Sequence, residues 1–298
     1  MKLRGADYIV KILEVLDAGH LFAYPGGAIL PIYDALAHTK LHCVLVRHEQ
    51  AASFAAQGYA RTLNRKPGFC LSTSGPGATN LVTGIADAYA DSIPMIAITG
   101  QVASNLIGSD AFQETDITGI CLPFTKKTFI IKDLSKAESI FTEAYELAIN
   151  GRPGPVLIDI PKDIQNAEIE LADDWENQFI HPQFTTFSQV APCALDKATD
   201  LLVSAKKPLI ISGHGVLLGD AVEELRKFVK SEKIPTISTI LGIGTLEHDN
   251  PLYYSWLGMH GMKYANEAVQ EADLIIALGI RFDDRITCLL YTSPSPRD

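Results

Sequence analysis

The sequence predicts an α/β protein of two three-layer domains with mostly parallel sheets. Three observations predict it. Short aliphatic runs bounded by Gly or Pro alternate with stretches whose apolar residues recur at helical spacing. The runs are apolar on both faces, as in strands covered by helices on either side. The 298 residues suffice for two separate cores.

Taken in order, the first helix is expected at 7–17, where Asp7, Lys11, Glu14 and Asp17 interrupt the apolar residues. That interruption excludes a signal-peptide core or a membrane span. A helix at 28–38 follows the turn Tyr24-Pro25-Gly26-Gly27. The run CVLV is a strand leading into a helix at 50–64, and GFCLS is a strand leading through Gly-Pro-Gly into a helix at 77–89. PMIAITG and PVLIDIP are strands, with a helix at 135–150 between them. The polar, aperiodic stretch that follows reads as an exposed linker over 166–189, dividing a first domain at 1–165 from a second at 190–287. The second resumes with a helix at 194–205, the strand PLIIS, a helix at 220–231, the strand IPTISTI, a helix near 265–271 and the strand DLIIALG. The tail CLLYTSPSPRD at 288–298 has no core-forming period and reads as translated foreign sequence or a disordered end, the first being favoured.

Composition narrows the function. Apolar residues make up 47% and charged residues 20%, as in an ordinary globular protein. Against 35 acidic side chains stand 25 basic ones, a net charge of −10 with no basic cluster, so nucleic acid is a poor partner. The five cysteines form no CxxC pair, and three lie in or beside apolar runs, which reads as reduced, buried thiols in a cytoplasmic protein. The eight histidines form no HxH pair and no CxxC accompanies them, so no metal site is expected in the chain. GxSxG and kinase-type motifs do not occur, and the Gly-Pro-Gly turn lacks the Lys of a P-loop.

Four clusters fall where a strand hands over to a helix or loop, the edge of a parallel sheet at which ligands bind. Tyr24-Pro25-Gly26-Gly27 is a tight turn or a place where backbone approaches a ligand without a Cβ in the way. Glu49, in Arg47-His48-Glu49-Gln50, is either a first-turn acid that compensates the helix dipole or a dry carboxylate with a proton to trade. The small residues Ala51, Ala52, Ala55 and Ala56 behind it favour close packing. Ser72 to Asn80 form a glycine-rich turn with the Asn80 amide in the first helical turn. Gly108 to Glu114 set an aromatic ring, Phe112, beside an amide, Gln113, and two acids on a loop. In the second half, Gly213-His214-Gly215 and Gly219 follow a strand with GxGxxxG spacing, a weak dinucleotide signal. Arg281 and Arg285 could pair with a diphosphate or with Asp283 and Asp284 on a solvated surface.

In this order, YPGG, LVRHEQAA, STSGPGATN, SIPMIAITGQV, IGSDAFQE, GRPGPVLIDIPKD, LGMHG and GIRFDDR resemble the large catalytic subunits of the acetolactate synthase (acetohydroxyacid synthase) family, which use thiamine diphosphate. The likeness runs over 3–287. It implies a first domain for the cofactor's pyrimidine ring and a Rossmann-like central FAD domain, incomplete here. A third domain, for diphosphate and Mg²⁺, is also implied; its GDG-to-Asn element is nowhere in the sequence, so the chain is expected to be an N-terminal fragment. The implied reaction is the decarboxylative condensation of pyruvate with a second 2-keto acid, pyruvate or 2-ketobutyrate, early in branched-chain amino-acid biosynthesis.

On that resemblance Glu49 hydrogen-bonds the aminopyrimidine N1′ as the catalytic carboxylate, and Gly26 offers its N–H toward a substrate oxygen. Gln113 and Phe112 lie beside the reacting centre, and Tyr24, Pro25, Gly27, Pro76 and Asn80 line the pyrimidine pocket. Gly213, Gly215, Thr239, Leu241, Gly258, His260, Gly279, Arg281, Asp283 and Arg285 match positions that hold FAD. The family also implies a homodimer or tetramer and a small regulatory subunit. Two departures are Ala103-Ser104-Asn105 after GQV and His214 in place of the middle Gly of a GGG run. Glyoxylate carboligase or pyruvate oxidase is the alternative within thiamine-diphosphate enzymes, the first opposed by Glu49 and the second by DAFQE and RFDDR. A flavin-binding or regulatory module without catalysis is the alternative from another class.

Overall fold

The computed structural model describes residues 1–185, 190–283 and 286, which fall into two compact units dividing at Thr186 and Phe187. The first begins with β1 (Lys2–Arg4), α1 (Gly5–Val15), β2 (His20–Ala23), α2 (Leu30–Leu36), β3 (His42–Leu45), α3 (Glu49–Ala60) and β4 (Gly68–Ser72). It continues through α4 (Pro76–Asn80), α5 (Val82–Asp91), β5 (Met95–Gln101), α6 (Ile117–Cys121), β6 (Lys127–Ile130) and α7 (Ala137–Ile149). It closes with β7 (Pro155–Pro161), α8 (Lys162–Asn166), β8 (Glu168–Glu170) and α9 (Trp175–Gln178).

Six strands form one parallel sheet in the order β3-β2-β4-β5-β7-β6. Alternation with period two feeds two cores. Phe69, Leu71, Ile96, Ile98, Val156 and Ile158 pack with α1, α2 and α7 on one face, whereas Cys70, Met95, Ala97 and Leu157 pack with α3 and α5 on the other. The second core is lined by small residues, Ala52, Ala56 and Ala60 of α3, which brings that helix close to the sheet. A Cβ on Gly68 of β4 would lie 1.9 Å from the Ala56 carbonyl oxygen.

Three expectations are corrected. Residues 166–185, though largely exposed, are no free linker but are held on the first unit, and 186–189 lie outside the described residues. β8 pairs antiparallel with β1, and Trp175 and Phe179 are buried in the first core, with Trp175 edge-on to Tyr8 at 5.2 Å between ring centroids. The aromatic residues that a polar composition masks are what anchor this segment. The helix expected at 77–89 is two, α4 and α5, meeting at Leu81. Of the thiols, Cys70 and Cys121 are buried and Cys43 half-buried, but Cys193 is exposed, and Cys288 lies outside the described residues.

In the second unit, α10 (Pro192–Ser204), β9 (Pro208–Ser212), α11 (His214–Leu218), α12 (Val222–Glu232), β10 (Thr236–Ser238), β11 (Tyr253–Trp256), α13 (Lys263–Glu271) and β12 (Leu274–Leu278) follow in order. Its four-stranded parallel sheet runs β11-β10-β9-β12. Leu209 and Ile211 pack with Ala265 and Val269 of α13, and Ile210 with Leu225 and Val229 of α12, on opposite faces. Both units are therefore three-layered. No helix among the described residues is long and apolar enough to cross a membrane.

Asp159, on β7, is 1% exposed and accepts from Thr99 Oγ1 at 2.7 Å and Gln101 Nε2 at 2.9 Å. Burial pushes its carboxyl up to about 7 against those two bonds, which favour the ionised form. The folded chain thus holds this proton where the unfolded chain, near its ordinary value of 3.8, has lost it. The contribution of Asp159 to the stability of the first unit is expected to fall as pH rises from about 4 to about 7 and to level off above. In urea titrations across that range Asp159→Asn should flatten this contribution, and an unchanged slope in the variant would contradict it.

Candidate active site

In the first sheet the strand order reverses between β2 and β4, since β3 lies outside β2 and β5 outside β4. Such a switch point opens a crevice at the carboxyl ends of the strands. The turn after β2 and the turn after β4 both lie there, and Thr73 joins them. Its Oγ1 accepts from the Ala28 N–H at 3.2 Å, and a Cβ on Gly26 would lie 2.4 Å from its side chain. The Gly26 approach therefore requires glycine, whereas a Cβ on Gly27 would meet nothing within 4 Å. Tyr24 donates its N–H to the Leu71 carbonyl at 3.2 Å, and Pro25 is exposed beside it.

Glu49 begins α3 after His48, whose Nδ1 accepts from the Gln50 N–H at 3.1 Å and caps the helix. Although it opens a helix, Glu49 is only 8% exposed. Its Oε2 accepts from Asn80 Nδ2 at 2.9 Å. A Cβ on Gly77 would stand 3.2 Å from its Oε1, so the glycine leaves the second oxygen uncrowded. A carboxyl group with one oxygen anchored and the other clear can, when protonated, donate to a ring nitrogen and, when ionised, accept from a protonated one. Pro76, at the start of α4, is exposed.

The fourth cluster also reaches this turn. Gly75, at φ +57°, lies against Gln113, whose carbonyl oxygen would be 2.6 Å from a Cβ there. Gln113 is itself left-handed, at φ +59°, and Phe112 is 88% exposed. Glu114 closes the loop on itself by accepting from the Gly108 and Ala111 N–H groups, bonds that hold its carboxyl below the usual range. The structure thus brings Gly26, Glu49, Asn80 and Gln113 to one turn, Ser72 to Asn80. Sequence reasoning placed Thr73 in the Ser72 to Asn80 turn without giving it a role, and missed Gln165, whose buried amide donates to the Ala28 carbonyl at 2.7 Å and ties the first turn to α8.

In the second unit the switch point lies between β9 and β12. The Gly213 N–H donates to the Leu278 carbonyl and the Gly215 N–H to the Gly279 carbonyl, both at 2.8 Å. A Cβ on Gly213 would be 2.3 Å from the Gly279 oxygen, and one on Gly279, at φ +61°, 2.5 Å from the Val216 nitrogen. These glycines are accounted for by the two strand ends packing on each other. Thr239 follows β10, and its Oγ1 accepts from Gly242 N–H at 3.1 Å, so Thr239 and Leu241 join the same edge. The Asn266 side chain bonds both the N–H and the carbonyl of Gly258, while His260 nearby is exposed. Arg281 pairs with Asp283 at 3.3 Å. Arg285 and Asp284 lie outside the described residues.

Two open parallel sheets, the first with a buried helix-start carboxylate in a glycine-backed crevice, define a cofactor-binding α/β enzyme class. The chain belongs to the thiamine pyrophosphate (thiamine diphosphate) enzymes. Residues 3–120 match the family model for the thiamine pyrophosphate enzyme N-terminal TPP binding domain, and residues 195–298 match that for the central domain. Within this group it is homologous to acetolactate synthase large subunits. It is 48% identical over 293 residues to the acetolactate synthase isozyme 2 large subunit of Escherichia coli, covering 97% of this chain and 52% of that protein. It is 49% identical over 287 residues to the acetolactate synthase large subunit of Corynebacterium glutamicum, covering 96% and 45%. To the chloroplastic acetolactate synthase of Arabidopsis thaliana it is 46% identical over 288 residues, covering 95% and 42%. The chain spans about half the length of the curated relatives it matches.

Proposed function

We propose that this chain is the part of an acetolactate synthase large subunit that seats the aminopyrimidine of thiamine diphosphate and binds FAD. The enzyme would condense pyruvate with pyruvate or 2-ketobutyrate, releasing CO₂. One observation carries the reading: the buried Glu49 carboxylate, anchored by Asn80 and left clear on its other oxygen by Gly77. That arrangement fits an aminopyrimidine, whose ring nitrogen can share a proton with the Glu49 carboxyl. When bound, thiamine diphosphate supplies the nucleophilic carbon and the electron sink for decarboxylation.

The remaining steps belong to the protein. Glu49 Oε1 holds and returns a proton at the pyrimidine nitrogen while Asn80 keeps the carboxylate from turning. Gly26 offers its backbone N–H toward a substrate oxygen, while Tyr24, Pro25, Gly27 and Pro76 wall the cofactor's ring. Gln113 presents an amide, and Phe112 an apolar face, where water must be kept from the reacting centre. FAD is assigned to Gly213, Gly215, Thr239, Leu241, Gly258, His260, Gly279, Arg281, Asp283 and Arg285. In support of this, Gly213, Gly215, Thr239, Leu241 and Gly279 follow strands β9, β10 and β12 at one edge of the second sheet. Mg²⁺ is proposed as a further cofactor of the enzyme, and no residue of this chain is offered as its ligand. The same reading extends to a homodimer or tetramer, to a small regulatory subunit and to the cytoplasm. Exposed Leu30, Leu45 and Leu122 supply apolar surface for subunit contact.

A complete subunit carrying this chain as its N-terminal half, given thiamine diphosphate, Mg²⁺ and FAD, is expected to form acetolactate from pyruvate. Absence of product from a folded, cofactor-loaded enzyme would refute the assignment.

A further inference from the structure

We infer that Asp159 is a positioning residue which, through Gln101, sets where the segment between Val102 and Thr115 lies over the Ser72 to Asn80 turn. The inference rests on the reading above, in which Gln113 of that segment belongs to the site. Asp159 sits in the middle of β7, where every neighbour along the strand is apolar. A carboxyl so placed costs stability unless its partners compensate, so its presence calls for a reason other than packing.

Gln101 supplies the link. It is 3% exposed and ends β5. Its Nε2 donates to Asp159 Oδ2 and to the Thr115 carbonyl, both at 2.9 Å, and its Oε1 accepts from the Val102 N–H at 2.9 Å. One side-chain amide therefore ties both ends of the loop, with both of its protons and its oxygen engaged. An amide can turn over and exchange its nitrogen and oxygen. Asp159, accepting from the nitrogen, selects the orientation that bonds Val102 and Thr115. Thr99 Oγ1 holds the other carboxyl oxygen at 2.7 Å and so keeps the acid itself in place. Between the tied ends, Gln113 rests against Gly75, one residue before the helix whose Asn80 anchors Glu49. A second tie, Asp163 Oδ1 accepting from Ser104 N–H at 2.9 Å, acts on one end only.

Amide hydrogen exchange on the full 298-residue chain tests this, and it needs neither cofactor nor turnover. Asp159→Leu and Gln101→Leu are each expected to speed exchange at the Val102, Gly108, Ala111 and Glu114 amides at least about tenfold, with β4 and β5 unchanged. Asp159→Asn, whose oxygen still accepts from Gln101, should restore wild-type protection, which separates positioning from any need for a charge. The inference is overturned if the loop amides of a folded Leu variant exchange as in the wild type. It is equally overturned if Asp159→Asn loosens the loop as much as Asp159→Leu, or if strands and loop loosen together in all three variants. Loosening of the loop alone in a chain whose complete subunit makes no acetolactate would uphold the positioning role and reject the functional reading.

Discussion

Glu49→Gln in a complete subunit is expected to slow proton exchange at the thiazolium C2 of bound thiamine diphosphate by about 10²–10⁴-fold, the range over which a positioned acid–base group contributes. Gln keeps the size of Glu and an oxygen that can accept from Asn80, so the fold and the α4 turn should survive. What it removes is the ability of Oε1 to take and return a proton. Loss of exchange with retained cofactor binding, read by NMR in deuterated solvent, separates this role from a structural one. Unchanged exchange would reduce Glu49 to an acid that compensates the α3 dipole.

Gly68→Ala is expected to destabilise the first unit by about 3 kcal/mol, the upper end of ordinary overpacking. The added Cβ would fall 1.9 Å from the Ala56 carbonyl oxygen and 2.6 Å from its carbon. Both atoms are helix backbone and cannot rotate away. Relief comes only by lifting α3 from β4, which loosens the contacts of Ala52, Ala56 and Ala60 and displaces Glu49 at the end of the same helix. Gly27→Ala, which meets nothing within 4 Å, is the control and should change the urea midpoint little. Equal midpoints for the two variants would show that α3 does not depend on this close approach.

Much of the site was legible because its residues have unusual chemistry for their setting. Glu49 follows a strand and precedes a run of alanines, and the Gly-Pro-Gly turn at 75–77 can be read from its backbone demands alone. The individual glycines were harder to interpret. Gly26 and Gly77 clear space around Thr73 and Glu49, whereas Gly213 and Gly279 are explained by contact with each other's strands, and a shared residue type cannot tell these cases apart. The segment at 166–185 was misread because its polar surface outnumbers its anchors. β8 finds its partner in β1, at the opposite end of the unit, a pairing that no local pattern encodes.

By itself the sequence determined the strand and helix alternation, the aliphatic runs of β4, β5 and β7 that are buried on both faces, and the residues able to carry chemistry. These depend on side-chain type and on spacing over a few positions. Only the tertiary structure decided that four clusters separated by as much as 90 residues meet at one turn. It also decided that Asp159 and Gln101 hold the loop bearing Gln113. The reason is topological: a parallel sheet brings the ends of distant strands to one edge, and strand order, absent from any local pattern, selects the neighbours there.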